Sequence, residues 1–326
     1  MSHSHARLDP LPPIPRKDAT VAFDGARPPL SDLHRHLDGS LRPSTIIELA
    51  AQTGQVVPDD LAFVPNMGLA AALSRFACTL SLLQGPSAVQ RVAAEMCEDA
   101  VTEGVTTLEI RFAPQLHHGA AIEAIVDAAL AGIAGRAGLI LCGLYGEPPS
   151  LLEKLVAIAK DRRGVVGIDL AGGPSASHTT RMRDYARAFS LAAACGLGRT
   201  VHAGEGRPPS EIREAIDGLH AQRIGHGTTL LDDPNVTDLV VRRGVVIEAC
   251  PTSNLHTGVI TSLADHPLPR WLDLGVRACV CADNTLLSAT DARTEFARVA
   301  QLPGMDERKQ RALIQAGHAA AFRRSE

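Results

Sequence analysis

The feature that most narrows what this chain can fold into is an alternation of character along its length. Short apolar runs are separated by longer stretches, several of them with helical spacing. The runs are LSDLHRHL (30–37), TTLEIRFA (106–113), LILCGLYG (139–146), VVGIDLAG (165–172), RTVHAG (199–204), RIGHG (223–227), VVIEACP (245–251) and VRACVCAD (276–283). Most lack the polar alternation of a sheet with one wet face, which marks parallel strands covered on both sides. Between them, AIEAIVDAALAGIAGR (121–136) and SLLEKLVAIAKDRR (150–163) repeat apolar residues at helical intervals. Eight such units predict an α/β fold, a closed TIM (β/α)8 barrel, with an open doubly wound sheet as the competitor.

The interval between the first two runs is long, and Ser44–Ala51, Leu69–Leu83 and Ser87–Glu103 within it have helical character. They predict extra helices inserted after strand 1, in a position from which a loop or lid can cover a site. Residues 1–30 are proline-rich and lack apolar periodicity, and read as a flexible arm in which His3 and His5 belong to a solvated tail. Residues 31–326 read as a single domain. The net charge of −4 gives no support for a nucleic-acid or anionic-membrane partner. Seven scattered cysteines without a CxxC pair argue against a disulfide framework and for a reducing compartment. The N-terminus has no signal-peptide core, and no uncharged apolar run reaches the ~18 residues a membrane span needs. A soluble cytoplasmic protein of unknown oligomeric state is the expectation.

In a β/α barrel the site forms at the C-terminal ends of the strands, and polar residues collect there. The first run ends in His34-Arg35-His36-Leu37-Asp38, the fifth in His202-Ala203-Gly204-Glu205, the sixth holds Gly225-His226-Gly227, and the eighth ends in Asp283-Asn284. Residues two apart on a strand share a face, so His34 and His36 project together. A lone HxH reads first as two core histidines; the other strand ends reverse that balance. A catalytic zinc needs three or four nitrogen or oxygen ligands and an open position, which His34, His36, His202 and Asp283 can supply. The ion lowers the pKa of its water toward ~7. Glu205, between two glycines, is placed to give a proton, and His226 to hold the attacking water and take up its proton.

The blocks HRHLDGSLRPSTIIELA, TVHAGE, RIGHGT, CPTSNLHTG and CADNTLLS, in this order, resemble the adenosine deaminase family of the amidohydrolase superfamily. The resemblance implies one Zn2+ per chain on His34, His36, His202 and Asp283, and hydrolysis of the 6-amino group of an adenine ring. It further implies that Glu205 protonates purine N1, and that His226 orients the attacking oxygen. Asp38 would bond the ribose 5′-hydroxyl, the Gly172 N–H would meet N3, and Asn284 would face N7; His36 borders the substrate as well. The expected partner is a small-molecule purine nucleoside, adenosine or 2′-deoxyadenosine. Free adenine and aminodeoxyfutalosine are the alternative substrates, and a non-catalytic nucleoside-binding relative is a third reading, opposed by the complete set of site residues.

Asp283-Asn284 stands where the best-known members have two aspartates, and an amide donates at any pH. Gly173-Pro174 replaces two acids after the fourth run, and Tyr145 stands where many relatives carry arginine; both leave the pocket wall open to question. Asp169 interrupts an apolar run and reads equally as a partner of a site histidine or as a structural group. Glu109 and Arg111, on one strand face, read as an ion pair. Ser253 and His256 read as candidates to face substrate, and His117, His118 and His178 as loop surface.

Overall fold

The structure, a computed structural model, describes residues 28–323. The predicted arm lies outside the described residues except for its last three, and His3 and His5 with it. Eight parallel strands run in sequence order around a barrel: β1 Leu30–His36, β2 Val105–Phe112, β3 Gly138–Leu144, β4 Val165–Ala171, β5 Gly198–Ala203, β6 Arg223–His226, β7 Val246–Ala249 and β8 Arg277–Val280. Each overlaps one predicted run. The ring closes just above β8, where Asp283 N donates to His34 O at 2.9 Å and His36 N to Asp283 O at 2.8 Å. The seam of the barrel is thus also the place where two predicted ligand strands meet.

The long first interval folds as three helices, α1 Pro43–Thr53, α2 Leu69–Leu82 and α3 Pro86–Glu103. Proline at the first turn of α1 and α3 costs no hydrogen bond there, and Gly54 and Gly104 end them in the left-handed conformation that glycine adopts freely. Helix α2 reaches the mouth of the barrel, where Phe76 stands edge-on to His36 with ring centroids 6.3 Å apart. Among the described residues no helix is long and apolar enough to cross a membrane.

The barrel interior is charged rather than apolar. Arg111 of β2 reaches Asp169 of β4 and Glu248 of β7, both at 2.8 Å. One layer lower, Arg223 of β6 pairs with Glu109 of β2 at 2.5 Å. Its Nε lies 2.7 Å from Glu248 but without hydrogen-bond alignment, so that contact is one of charge only. The expected Glu109–Arg111 pair does not form. The two residues share a face but stand about 7 Å apart along the strand, and each takes partners at its own height from across the barrel. All five side chains are buried.

Candidate active site

Four imidazoles converge at the C-terminal mouth of the barrel. His34 and His36 leave the end of β1 and His202 that of β5, while His226 ends β6. The ring centroids of His34, His202 and His226 lie 4.5–5.2 Å apart, and His36 is 5.4 Å from His202. His36 Nε2 is 3.3 Å from both His34 Nε2 and His202 Nε2. Asp283 Oδ1 stands 3.6 Å from His34 Nε2 and 3.4 Å from His36 Nε2. The local backbone is bent to achieve this. His226 and Asp283 both have positive φ, 68° and 61°, a conformation that non-glycine residues avoid unless the surroundings impose it. A Cβ on Gly225 would lie 2.9 Å from His34 Cε1, so the first glycine of the GHG block makes room for the facing histidine.

The outer nitrogens are anchored. His34 Nδ1 meets Glu248 Oε2 at 2.7 Å and His202 Nδ1 meets Asp169 Oδ2 at 3.0 Å. Protons held there leave the Nε2 lone pairs of His34 and His202 free to point at the space beside His36 Nε2, the orientation in which they can take a cation. Burial first, then the charge of Arg111, holds His34 well below its ordinary pKa, and burial with the neighbouring His202 does so for His36. The neutral ring is the form that ligates a metal. Ligands about 2.0–2.1 Å from a tetrahedral ion stand roughly 3.3 Å from one another, the spacing that His36 Nε2 already has to His34 Nε2 and His202 Nε2. The donor set therefore fits a divalent metal. Cys250, which sequence reading left unassigned, brings its thiol within 4.8 Å of ligand atoms of His34 and Asp283, and burial pushes the pKa of that thiol well up.

Glu205 is buried beside the cluster, accepts a hydrogen bond from Thr257 Oγ1 at 3.1 Å, and comes within 3.8 Å of His226 Nδ1. Burial raises its pKa against the pull of Arg207 and His202. Asp38 is buried with Oδ1 unpartnered, and burial pushes its pKa up to about 6. Asn284 Oδ1 is likewise buried without a partner. The two are neighbours through Gly39, where any Cβ would collide with Asn284 Oδ1. Gly172 follows β4 with φ of 75°.

The departures in the pocket wall have a shared physical basis. The Tyr145 hydroxyl donates to His202 O at 2.9 Å, and the Arg207 guanidinium lies 5.9 Å above the Tyr145 ring. A Cβ on Gly173 would come within 2.7 Å of Arg207 Nη1, so a bare residue there gives the arginine its space. Asp169 touches a site histidine, and it also pairs with Arg111. His256 is buried, with Nδ1 3.3 Å from Ser288 Oγ. His117 is buried rather than surface, because its Nδ1 donates to Leu83 O and ties the loop after β2 to the end of α2. His118 is exposed and His178 half-buried. Sequence reading missed Glu248 as a partner of His34, although it breaks the run VVIEACP as Asp169 breaks its own. A cavity of about 600 Å³ lies at the opposite end of the barrel, among Arg199, Arg223, Arg277, His318 and Phe322, away from the four imidazoles of the mouth.

The profile of the adenosine deaminase family matches residues 29–326. The adenosine deaminase of Clostridium kluyveri is 36% identical over 288 residues, covering 82% of this chain and 82% of that protein. The probable adenosine deaminase of Dictyostelium discoideum is also 36% identical over 82% of this chain, and the match spans 37% of its longer length. Among solved structures, the adenine deaminase of Arthrobacter aurescens superposes with a TM-score of 0.80 at 26% identity, covering 90% of this chain and 94% of that one. An Arabidopsis N6-mAMP deaminase matches at a TM-score of 0.80 and 26% identity, covering 91% and 94%. With the matched profile, these relatives and a mouth built to hold a divalent ion, the chain belongs to the adenosine deaminase family and is a metal-dependent hydrolytic deaminase.

Proposed function

We propose that the protein converts adenosine, and 2′-deoxyadenosine with it, to inosine and ammonia, using one zinc ion per chain on His34, His36, His202 and Asp283. When bound, zinc supplies an acidified water for attack on purine C6. Glu205 gives the proton to N1, and its burial keeps it protonated to higher pH than a solvated glutamate. His226 holds the attacking water over the ring. The Gly172 N–H meets N3 and the Asn284 amide donates to N7. Helix α2, with Phe76 edge-on to His36, shields one side of the mouth from bulk water.

The observation that carries the substrate reading is the Asp38 carboxylate, buried beside the cluster with Oδ1 lacking a partner. A buried acceptor left empty costs about 1–3 kcal/mol, which a 5′-hydroxyl donor offsets. A 5′-phosphate meets like charge there, and free adenine leaves the acceptor empty. The test is a deamination assay of the zinc-loaded protein on adenosine, 2′-deoxyadenosine, 5′-deoxyadenosine, adenine, N6-methyl-AMP and aminodeoxyfutalosine. Adenosine and 2′-deoxyadenosine should have the highest kcat/KM, and Asp38→Ala should lose far more on adenosine than on 5′-deoxyadenosine. Equal losses, or a preference for another substrate in the panel, overturn the nucleoside reading. Glu205→Gln should keep its zinc and lose roughly 10²–10⁴-fold in kcat; near-normal turnover removes Glu205 from the reaction.

A further inference from the structure

Behind His226 runs a line of hydrogen bonds that starts on a backbone donor. The Leu268 N–H can only donate, and it meets His266 Nδ1 at 3.1 Å. That nitrogen is therefore the acceptor of its ring, and the neutral imidazole carries its proton on Nε2. His266 Nε2 lies 3.3 Å from Asn254 Oδ1, which orients the amide with its oxygen toward His266. Asn254 Nδ2 is then the atom that faces His226 Nδ1, at 3.1 Å. An amide NH2 donates, so His226 Nδ1 accepts and the remaining proton belongs on Nε2. All three side chains are buried, and the Trp271 ring packs edge-on to His266 with centroids 5.4 Å apart. Glu205 Oε1, on the other flank of His226 Nδ1, is 3.8 Å away and outside hydrogen-bond range.

Resting on the reading that His226 holds the attacking water, we infer that the Leu268–His266–Asn254 relay fixes His226 as the Nε2–H tautomer, so that it meets that water as a donor and not as a base. Asn254 and His266 are positioning residues that act through His226. In this tautomer Nε2 has no lone pair for the water's proton, contrary to the proton-uptake role expected from the sequence; water acidified by a bound metal would give that proton to solvent before attack. The relay is assembled by Asn254, in the short helix Pro251–His256 after β7, and by the turn that precedes the helix Leu268–Asp273. It has no motif spacing of its own.

The test is NMR of the imidazole nitrogens in ¹⁵N-histidine-labelled protein, metal-free and zinc-loaded, with His226 assigned by the signal lost in His226→Gln. The expected result is a protonated Nε2 and a bare Nδ1 in both forms. Asn254→Asp keeps the shape but replaces the donor with an acceptor. It should move the proton to Nδ1 and lower kcat roughly 10²–10⁴-fold, as a wrong tautomer does in other imidazole catalysts, with KM within about threefold. His266→Gln, which can still donate to Asn254 Oδ1, should keep the Nε2–H signal and most of kcat, whereas His266→Leu should yield mixed tautomers. A wild-type Nδ1–H signal, or an Asn254→Asp enzyme with unchanged tautomer and kcat, overturns the inference. A fully active His226→Ala enzyme defeats instead the reading on which it rests, and leaves the tautomer result untouched.

Discussion

The rim of the barrel and the layer of side chains beneath it use the same residue types in opposite ways. Beneath the rim, Arg111 spans Asp169 and Glu248, and Arg223 answers Glu109, so each buried carboxylate has a guanidinium partner. At the rim, His36 Nε2 lies 3.3 Å from the Nε2 atoms of the anchored His34 and His202, Asp283 Oδ1 stands 3.6 Å and 3.4 Å from His34 and His36 Nε2, and Asp38 holds an oxygen without a partner. The lower layer finds its charge partners within the protein, with only the Nε atoms of Arg111 and Arg223 lacking a hydrogen bond, whereas the donor set of the rim calls for a cation and a ligand. The two are joined by hydrogen bonds, because the carboxylates that Arg111 neutralises are those that hold His34 and His202. The comparison teaches that the matched layer maintains the orientation of the rim histidines.

The largest effect expected from breaking this division comes from Arg111→Leu, which leaves Asp169 and Glu248 buried with their main counter-charge gone. Urea unfolding of the metal-free protein should show a loss of about 3–5 kcal/mol; a loss below ~1 kcal/mol would erase the distinction between the regions. Next in size, Glu248→Gln keeps volume and fold but weakens the hold on the His34 tautomer. Metal affinity, read by competition with a chelating dye, should fall roughly 10–100-fold, and unchanged affinity would show the layers to be independent. The smallest effect sharpens the contrast: Asp283→Asn removes a buried rim charge and can donate to His34 Nε2. The metal-free protein should then unfold within about 1 kcal/mol of the parent, or be more stable. A drop of several kcal/mol would mean that the rim also carries the fold.

The same two regions differ in how far the sequence discloses them. The barrel was legible because covered parallel strands are apolar runs, and each observed strand overlaps its predicted one. Rim residues were legible because HRHLD, HAGE, GHG and ADN are contiguous, and a strand end gathers near neighbours. The layer beneath was not, because its pairings join β2 to β4, β6 and β7 across the barrel, and sequence proximity misleads there. Glu109 and Arg111 are two residues apart yet belong to different layers. Tyr145 and Gly173 looked like isolated departures, and only the placement of Arg207 between them relates the two. His117 read as loop surface because nothing local signals that its ring reaches back to the Leu83 carbonyl.

The central claim is that the rim holds one divalent ion on His34, His36, His202 and Asp283. A crystal structure of zinc-loaded protein, with anomalous data at the zinc edge, tests it most directly. The account predicts a single ion per chain, about 2.0–2.2 Å from the Nε2 atoms of the three histidines and from a carboxylate oxygen of Asp283. An ion bound through Cys250, an ion at another location, or a rim left empty at saturating zinc would contradict it.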